Sequence, residues 1–258
     1  MQTSSSLAPG TTIAIVGAGR LGRVLARVLR AAEIEVLGPI GRDDRIPDAD
    51  IVLLCVPDAS IAGVAVEARS HARFLGHVSG ATALADVDFS LHPLQTFTGT
   101  EGAEAFRDIG AAIAGRTPAA RRVGEELAVA LGARPFAVDD MHRASYHAAA
   151  SFASNFVLTV LDSAECLATA AGIPDDEARA LLAPLIRRTV ENWTTSGAAA
   201  ALTGPIARGD EATVARQRAA AAEAGIDDLF DALAAATRAI AARRTAVTPV
   251  TATEESHA

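Results

Sequence analysis

Short apolar runs alternate with amphipathic stretches through the first half of the chain, and the second half carries helical periodicity almost throughout. Residues 12–16, 34–37, 51–56, 74–79, 89–92, 111–114 and 134–138 are apolar runs of strand length. Their near-continuous hydrophobicity suits strands covered on both faces, as in a parallel sheet. Residues 20–32, 59–72 and 118–131 read as the intervening helices. Pro118 stands where the first turn of a helix tolerates proline, and Gly132 stands where a helix stops. This order predicts an α/β fold with a doubly wound, mostly parallel sheet.

The pattern changes near Asp139. From there to about Arg244 the chain reads as helices, broken at Gly172-Ile173-Pro174, Gly197, Gly204-Pro205, Gly209-Asp210 and Gly225. Asp139 or Asp140 is placed to cap one long helix running to about Ala171, and Asp175 and Asp210 are similar cap candidates. The expected organisation is a disordered tail over 1–10, a sheet domain over 11–138, an all-α domain over 139–245 and a second tail over 246–258. Runs such as Ala198 to Ala201 are helix formers and need no functional reading.

Composition narrows the classes. Half of the 258 residues are apolar but only 4% are aromatic, so Ala, Leu, Val and Ile must fill the core. The net charge of −8 argues against phosphate-backbone binding, and no nucleic-acid partner is expected. Two cysteines, Cys55 and Cys166, suggest neither a disulfide framework nor a zinc site. Cys55 reads as a small core residue. No stretch approaches the roughly 20 apolar residues of a membrane span, and the Ser/Thr-rich start is no signal peptide. A soluble, cytoplasmic protein is expected.

Gly17-Ala18-Gly19-Arg20-Leu21-Gly22 follows directly on the first strand and opens the first helix. A dinucleotide site requires that order: Gly17 for a tight turn, Gly19 for close approach to a pyrophosphate, Gly22 for helix–strand packing. Free N–H groups at the helix start then face the phosphates.

Ligands of open α/β sheets bind beyond the carboxyl ends of the strands, and those ends nominate the other candidates. The second strand leads to Gly41-Arg42-Asp43. Arg42 reads as a ligand for the 2′-phosphate of NADP or as a solvated surface arginine, and Asp43 beside it opposes a phosphate. The third run ends in Val56-Pro57-Asp58, the fourth in Ser79-Gly80, the fifth in His92-Pro93-Leu94-Gln95-Thr96. His92 is either a proton donor near neutral pH or a residue that closes the strand through its backbone.

His147, Ser151 and Asn155 follow at four-residue spacing, which would spread them along one face of a helix over about 12 Å. Their imidazole, hydroxyl and amide suit a polar carbonyl substrate. A polar seam against a neighbouring domain is the other reading. In Leu202 to Asp210, Arg208 is placed to clamp a carboxylate, or the segment is only a turn before a helix that Asp210 caps. His71, His77 and His257 have no partner at metal-ligand spacing, so no metal is expected. Ser79 lacks the elbow of a hydrolase nucleophile.

The segments VGAGRLG (16–22), LLCVPD (53–58), VSGA (78–81), HPLQTF (92–97), YHAAASFASNF (146–156) and LTGPIARGD (202–210) together resemble Rossmann-like proteins with a helical domain of unknown function 2520, within the 6-phosphogluconate dehydrogenase-like superfamily. The resemblance covers about 12–245. It is similar in layout to 3-hydroxyisobutyrate dehydrogenase, pyrroline-5-carboxylate reductase and ketopantoate reductase. It implies NADP, or NAD, as cofactor, a small substrate bound between the two domains, and a homodimer through the helical domain. It also implies a 2-oxo or 2-hydroxy acid of ketopantoate type, or an imine, as substrate. Superfamily dehydrogenases often carry a lysine four residues before an asparagine; here Ser151 stands four before Asn155, which leaves His147 as the acid/base candidate. Only seven residues separate Arg42 from Asp50, where relatives carry a helix and a short strand. A parallel crossover usually needs a dozen or more, so that segment reads as deleted from the adenosine side.

The leading expectation is an NAD(P)H-dependent reductase. Residues 17–22 hold pyrophosphate, and Val56, Pro57, Asp58, Ser79 and Gly80 border the nicotinamide half. His147 donates the proton and Asn155 orients the carbonyl, with Ser151 and His92 as further catalytic candidates; Arg208 or His92 holds a carboxylate, and Gln95 and Thr203 are the other substrate-binding candidates. The alternative is a non-catalytic dinucleotide sensor or scaffold with an eroded adenosine site. A deazaflavin hydride donor would fit the same fold.

Overall fold

The computed structural model describes residues 7–246, which form two compact units, one running to Asn155 and the other beginning at Phe156. Residues 1–6 and 247–258, which include His257 and most of both expected tails, lie outside the described residues.

In the first unit the strands are β1 (Thr12–Val16), β2 (Glu35–Ile40), β3 (Ala49–Leu54), β4 (Ala72–His77), β5 (Phe89–Pro93), β6 (Gly110–Gly115) and β7 (Arg134–Ala137). They form one seven-stranded sheet in the order β2-β1-β3-β4-β5-β6-β7. β1 to β5 are parallel, β6 pairs antiparallel to β5, and β7 runs parallel to β6. The helices are α1 (Arg20–Ala31), α2 (Ile61–Ala68), α3 (Pro118–Leu131) and α4 (Arg143–Ala153).

Alternation along each strand divides the core. Ile13, Ile15, Ile51 and Leu53 point to one face and pack with Val24, Leu25, Val28 and Leu29 of α1 and Leu127 and Leu131 of α3. Ala14, Val16, Val52 and Leu54 point to the other and meet Ile61, Ala65 and Ala68 of α2. Helices therefore cover both faces, as the unbroken apolar runs require. Thr117 caps α3 by accepting from the Ala120 N–H at 3.1 Å, and Pro118 opens it.

Several boundaries differ from those expected. β2 continues through Gly38-Pro39 to Ile40; it is an edge strand, where proline costs no ladder bond. α2 is shorter than the periodic stretch because tight turns flank it on both sides, and β4 begins at Ala72. Residues 41–48 cross from β2 over β1 to β3 without a helix. The first unit extends past 138 to include α4. The cause is packing: the Arg143 guanidinium is buried against β5 and donates to Ser90 Oγ at 2.6 Å.

The expected long helix from 139 is two helices. α4 ends at Ala153, and Ser154 leaves helical geometry at φ −131°, ψ −80°. Its hydroxyl donates to the Ala150 carbonyl at 2.7 Å, a bond that competes with helix continuation. Neither Asp139 nor Asp140 caps α4; the Asp140 carboxylate instead accepts from the Leu84 N–H at 3.1 Å and Arg143 Nε at 2.5 Å.

The second unit contains α5 (opening at Asn155 and running to Ala170), α6 (Asp175–Ala201), α7 (Pro205–Arg208), α8 (Glu211–Glu223) and α9 (Asp227–Ala246). Its buried positions are mostly small, among them Ala168, Ala178, Ala221 and Ala234. α6 bends at Gly197, where φ is +74°. Asp175 lies inside α6 rather than capping it, and accepts from Thr169 Oγ1 at 2.6 Å. Asp210 does cap α8, accepting from the Thr213 N–H at 3.0 Å. No helix of the described residues is long and apolar enough to cross a membrane.

Candidate active site

The glycine turn sits at the carboxyl end of β1. Gly17 has φ +116°, and a Cβ there would lie 2.3 Å from the Cys55 carbonyl oxygen. At Gly22 a Cβ would lie 2.0 Å from the Gly17 carbonyl oxygen. Both are required for the turn to close on β3 and α1. A Cβ on Gly19, by contrast, would project into open space. That is the cradle a pyrophosphate needs, directly before the first turn of α1, whose N–H groups have no partner within the helix.

The turn borders a cavity of about 440 Å³. Gly17, Ala18 and Gly19 line one side, Val56 and Pro57 another, and Gly41, Arg42 and Asp44 a third. Arg20 and Leu21 enter α1 instead, Leu21 packing against the core. The Asp44 carboxylate accepts from the Gly41 N–H at 2.9 Å and so ties down the short 41–48 loop. Cys55, also on the wall, packs against the core, and burial pushes its thiol up to about 12.

Beyond Pro57 the strand ends are joined. Ser79 Oγ lies 2.8 Å from Asp58 Oδ2 and accepts from the Ala81 and Thr82 N–H groups at 3.1 and 2.9 Å. Its hydroxyl is fully engaged in shaping the turn after β4, so Ser79 positions this corner rather than offering a free ligand. His77 is completely buried; its Nδ1 accepts from the Ser79 N–H and its Nε2 faces the Ala83 carbonyl at 3.4 Å. Burial lowers its pKa. His71 Nδ1 lies within hydrogen-bond distance of the Asp48 carboxylate, at 2.7 Å. Among the described residues no three His, Cys, Asp or Glu side chains form a metal-binding group.

Next to that corner, β5 and α4 bring together a cluster the sequence names only in part. His92 Nδ1 lies 2.6 Å from Tyr146 Oη. The His147 ring stands edge-on to His92 at 6.2 Å between centroids. Gly80 faces both: a Cβ on it would meet His147 Nδ1 and His92 Nδ1 at 3.0 Å. Burial, then the neighbouring His147, pushes the His92 pKa down to about 4. Burial pushes the Tyr146 phenol up to about 12. Arg143 anchors α4 behind the cluster. Burial alone would raise the Asp140 carboxyl, but the bonds from Arg143 and Leu84 outweigh it and hold it below the ordinary value.

The other expected site residues are dispersed. Ser151 is half-buried on α4, whereas Asn155 opens α5 beyond the break at Ser154 and so is not on the same helix as His147. Gln95 is exposed and folds back to accept from the Thr96 N–H at 2.9 Å. Thr203 and Arg208, both exposed, belong to the helical unit. Tyr146 and Arg143 were missed by the sequence reading. The one tyrosine of the chain, directly before His147, was the available signal.

A family model described as a domain of unknown function, DUF2520, matches residues 109–237, half of the chain. The chain belongs to this family. The DUF2520 segment contains α4 and its histidine, while the glycine turn precedes it. Among solved structures, the fold is similar to that of the Bacteroides fragilis protein BF3122, a proposed NADP oxidoreductase. That match has a TM-score of 0.75 at 22% identity and covers 89% of this chain and 98% of the other. Protein TM1727 from Thermotoga maritima matches with a TM-score of 0.72 at 23% identity, over 90% and 99% of the two chains. An imine reductase from Myxococcus stipitatus, solved with NADP+, has a TM-score of 0.59 at 17% identity, over 90% and 94%. No curated protein matches the sequence.

Proposed function

We propose that this DUF2520 protein is an NADP(H)-dependent oxidoreductase, with NAD(H) as the alternative cofactor, that reduces a small carbonyl acid or imine. The observation that carries the reading is the open cradle at Gly19, bordered by the Arg42 wall and adjoining the His92–Tyr146–His147 cluster through Pro57 and Asp58. Gly17, Ala18 and Gly19 would hold the pyrophosphate, and Arg42 would pair with the 2′-phosphate. Solved structures of the same fold carry NADP, the imine reductase above among them. When bound, the cofactor supplies hydride, and the protein supplies position and electrostatics. His147, exposed at the edge of the cluster, is the group placed to give the substrate a proton.

The helical unit exposes Phe156, Leu158, Leu181, Leu185 and Trp193 on α5 and α6. An apolar surface of that kind on so alanine-rich a unit supports a homodimer through it. The free cysteines Cys55 and Cys166 accord with a cytoplasmic enzyme.

Calorimetry with NADPH and NADH, followed by turnover assays on 2-oxo acids and cyclic imines, tests the reading. NADPH binding is expected, with turnover that falls roughly 10²–10⁴-fold in His147→Ala. Binding without turnover across the panel would favour the dinucleotide sensor, for which the bare 41–48 loop is the motive. No binding of any dinucleotide would end both.

A further inference from the structure

We infer that Tyr146 is a positioning residue that holds His92 in its Nε2–H tautomer, so that His92 meets the substrate oxygen as a hydrogen-bond donor and not as the acid. This rests on the reductase reading above and deepens it by assigning the substrate class.

The contact between Tyr146 Oη and His92 Nδ1, at 2.6 Å, has two possible directions. If Nδ1–H donated, the weaker donor would be paired with the weaker acceptor, and the phenol proton would be left to solvent, because Tyr146 makes no other side-chain hydrogen bond among the described residues. If the phenol donates, both atoms of the contact are satisfied: the Nδ1 lone pair accepts, and the ring proton sits on Nε2, free to meet a ligand. Protonation states agree. The phenol keeps its proton far above neutral pH, and the imidazole stays neutral down to about 4. The groups acting on His92 from around it are His147 and Arg143 of α4, His77 of β4 and Asp58 after β3. Only Asp58 favours a charge on the ring, and burial outweighs it.

A neutral imidazole cannot deliver its Nε2 proton without becoming an imidazolate, and the Tyr146 phenol cannot follow to relieve it. His92 is therefore confined to hydrogen bonding. An N–H at this place pairs with an oxygen lone pair and repels a cationic iminium, which has no lone pair to offer. The cluster consequently selects an oxo compound over a protonated imine.

The test is tautomer-resolved proton–nitrogen NMR on the full-length protein labelled at histidine, at pH 7, with His92 assigned by its loss in His92→Gln. A protonated Nε2 and a bare Nδ1 are expected for His92, and Tyr146→Phe is expected to convert it to a mixture of tautomers. In parallel, Tyr146→Phe should lower kcat for a 2-oxo acid by roughly tenfold while KM for NADPH stays unchanged. A proton on Nδ1, or a doubly protonated ring at pH 7, would overturn the proposal in the wild-type protein alone, whatever the variant does. Turnover of a cyclic iminium with a higher kcat/KM than any oxo acid would overturn the substrate assignment. Failure to bind NADPH would sink the reductase reading yet leave the tautomer result standing, so the two failures are distinguishable.

Discussion

The guanidinium of Arg143 donates to Ser90 Oγ at 2.6 Å, which joins α4 to the centre of β5. Its second contact, to Asp140, leaves that carboxylate partly exposed. Arg143→Ala removes both partners and leaves the 99%-buried Ser90 hydroxyl unpaired. A loss of about 2 kcal/mol in urea denaturation is expected, below the 3–5 kcal/mol of a fully buried pair because Asp140 faces water. The same variant should lose the Tyr146–His92 contact, since α4 carries Tyr146. Unchanged stability would mean that α4 is held by its other contacts.

Three glycines of one turn should respond differently to the same added methyl group. Gly17→Ala and Gly22→Ala place a Cβ against backbone carbonyls, and each should cost about 2–3 kcal/mol. Gly19→Ala meets nothing, and its backbone at φ −71° suits any residue, so stability should change by less than about 1 kcal/mol. It nevertheless fills the cradle, so NADPH affinity should fall tenfold or more. Thermal denaturation and calorimetry on the three variants separate folding from binding. Equal affinity in Gly19→Ala would remove the turn from cofactor binding.

The central strands were legible because both faces of the sheet are covered there, which leaves apolar runs with nothing polar to blur them. The end of β2 was not, because Gly38-Pro39 punctuates it as a turn would; only its edge position makes the proline tolerable. The split between α4 and α5 left no mark either. Alanines before Ser154 and the apolar residues Phe156 to Leu158 after it read as one continuous helix, and the break is recorded in a side-chain bond to Ala150. At the site, His92 and His147 were visible through their neighbours in sequence. Their juxtaposition with Tyr146 and Gly80 depends on α4 docking through Arg143, a long-range event that no local spacing encodes.

Among the described residues, Arg42 is the only arginine lining the cavity beside the glycine turn. A guanidinium there distinguishes a 2′-phosphate from a hydroxyl, and loss of one charge-assisted pair is worth about 1.5–3 kcal/mol. Arg42→Ala should therefore weaken NADPH binding at least tenfold while leaving NADH binding nearly unchanged. Calorimetry with both cofactors checks this. If both weaken equally, Arg42 shapes the 41–48 loop instead of reading the phosphate.

Stability should depend on pH through His92. In the unfolded chain this imidazole binds a proton near 6.5, whereas the folded ring, buried and beside His147, resists protonation down to about 4. Above 6.5 neither state is protonated and folding bears no cost. Between 6.5 and 4 the unfolded state takes up a proton that the native state refuses, so stability falls as pH falls. The full span corresponds to about 3 kcal/mol at most, reduced because the ring is only partly buried. His77, shifted in the same direction by burial, adds to the slope. The carboxylates with lowered values, Asp50 and Asp140 among them, act only at more acid pH. Urea midpoints at pH 7.5 and 5.0 should therefore differ more in the wild type than in His92→Gln, which has no proton to bind in either state. Identical differences in the two proteins would show that His92 is already free to protonate in the fold.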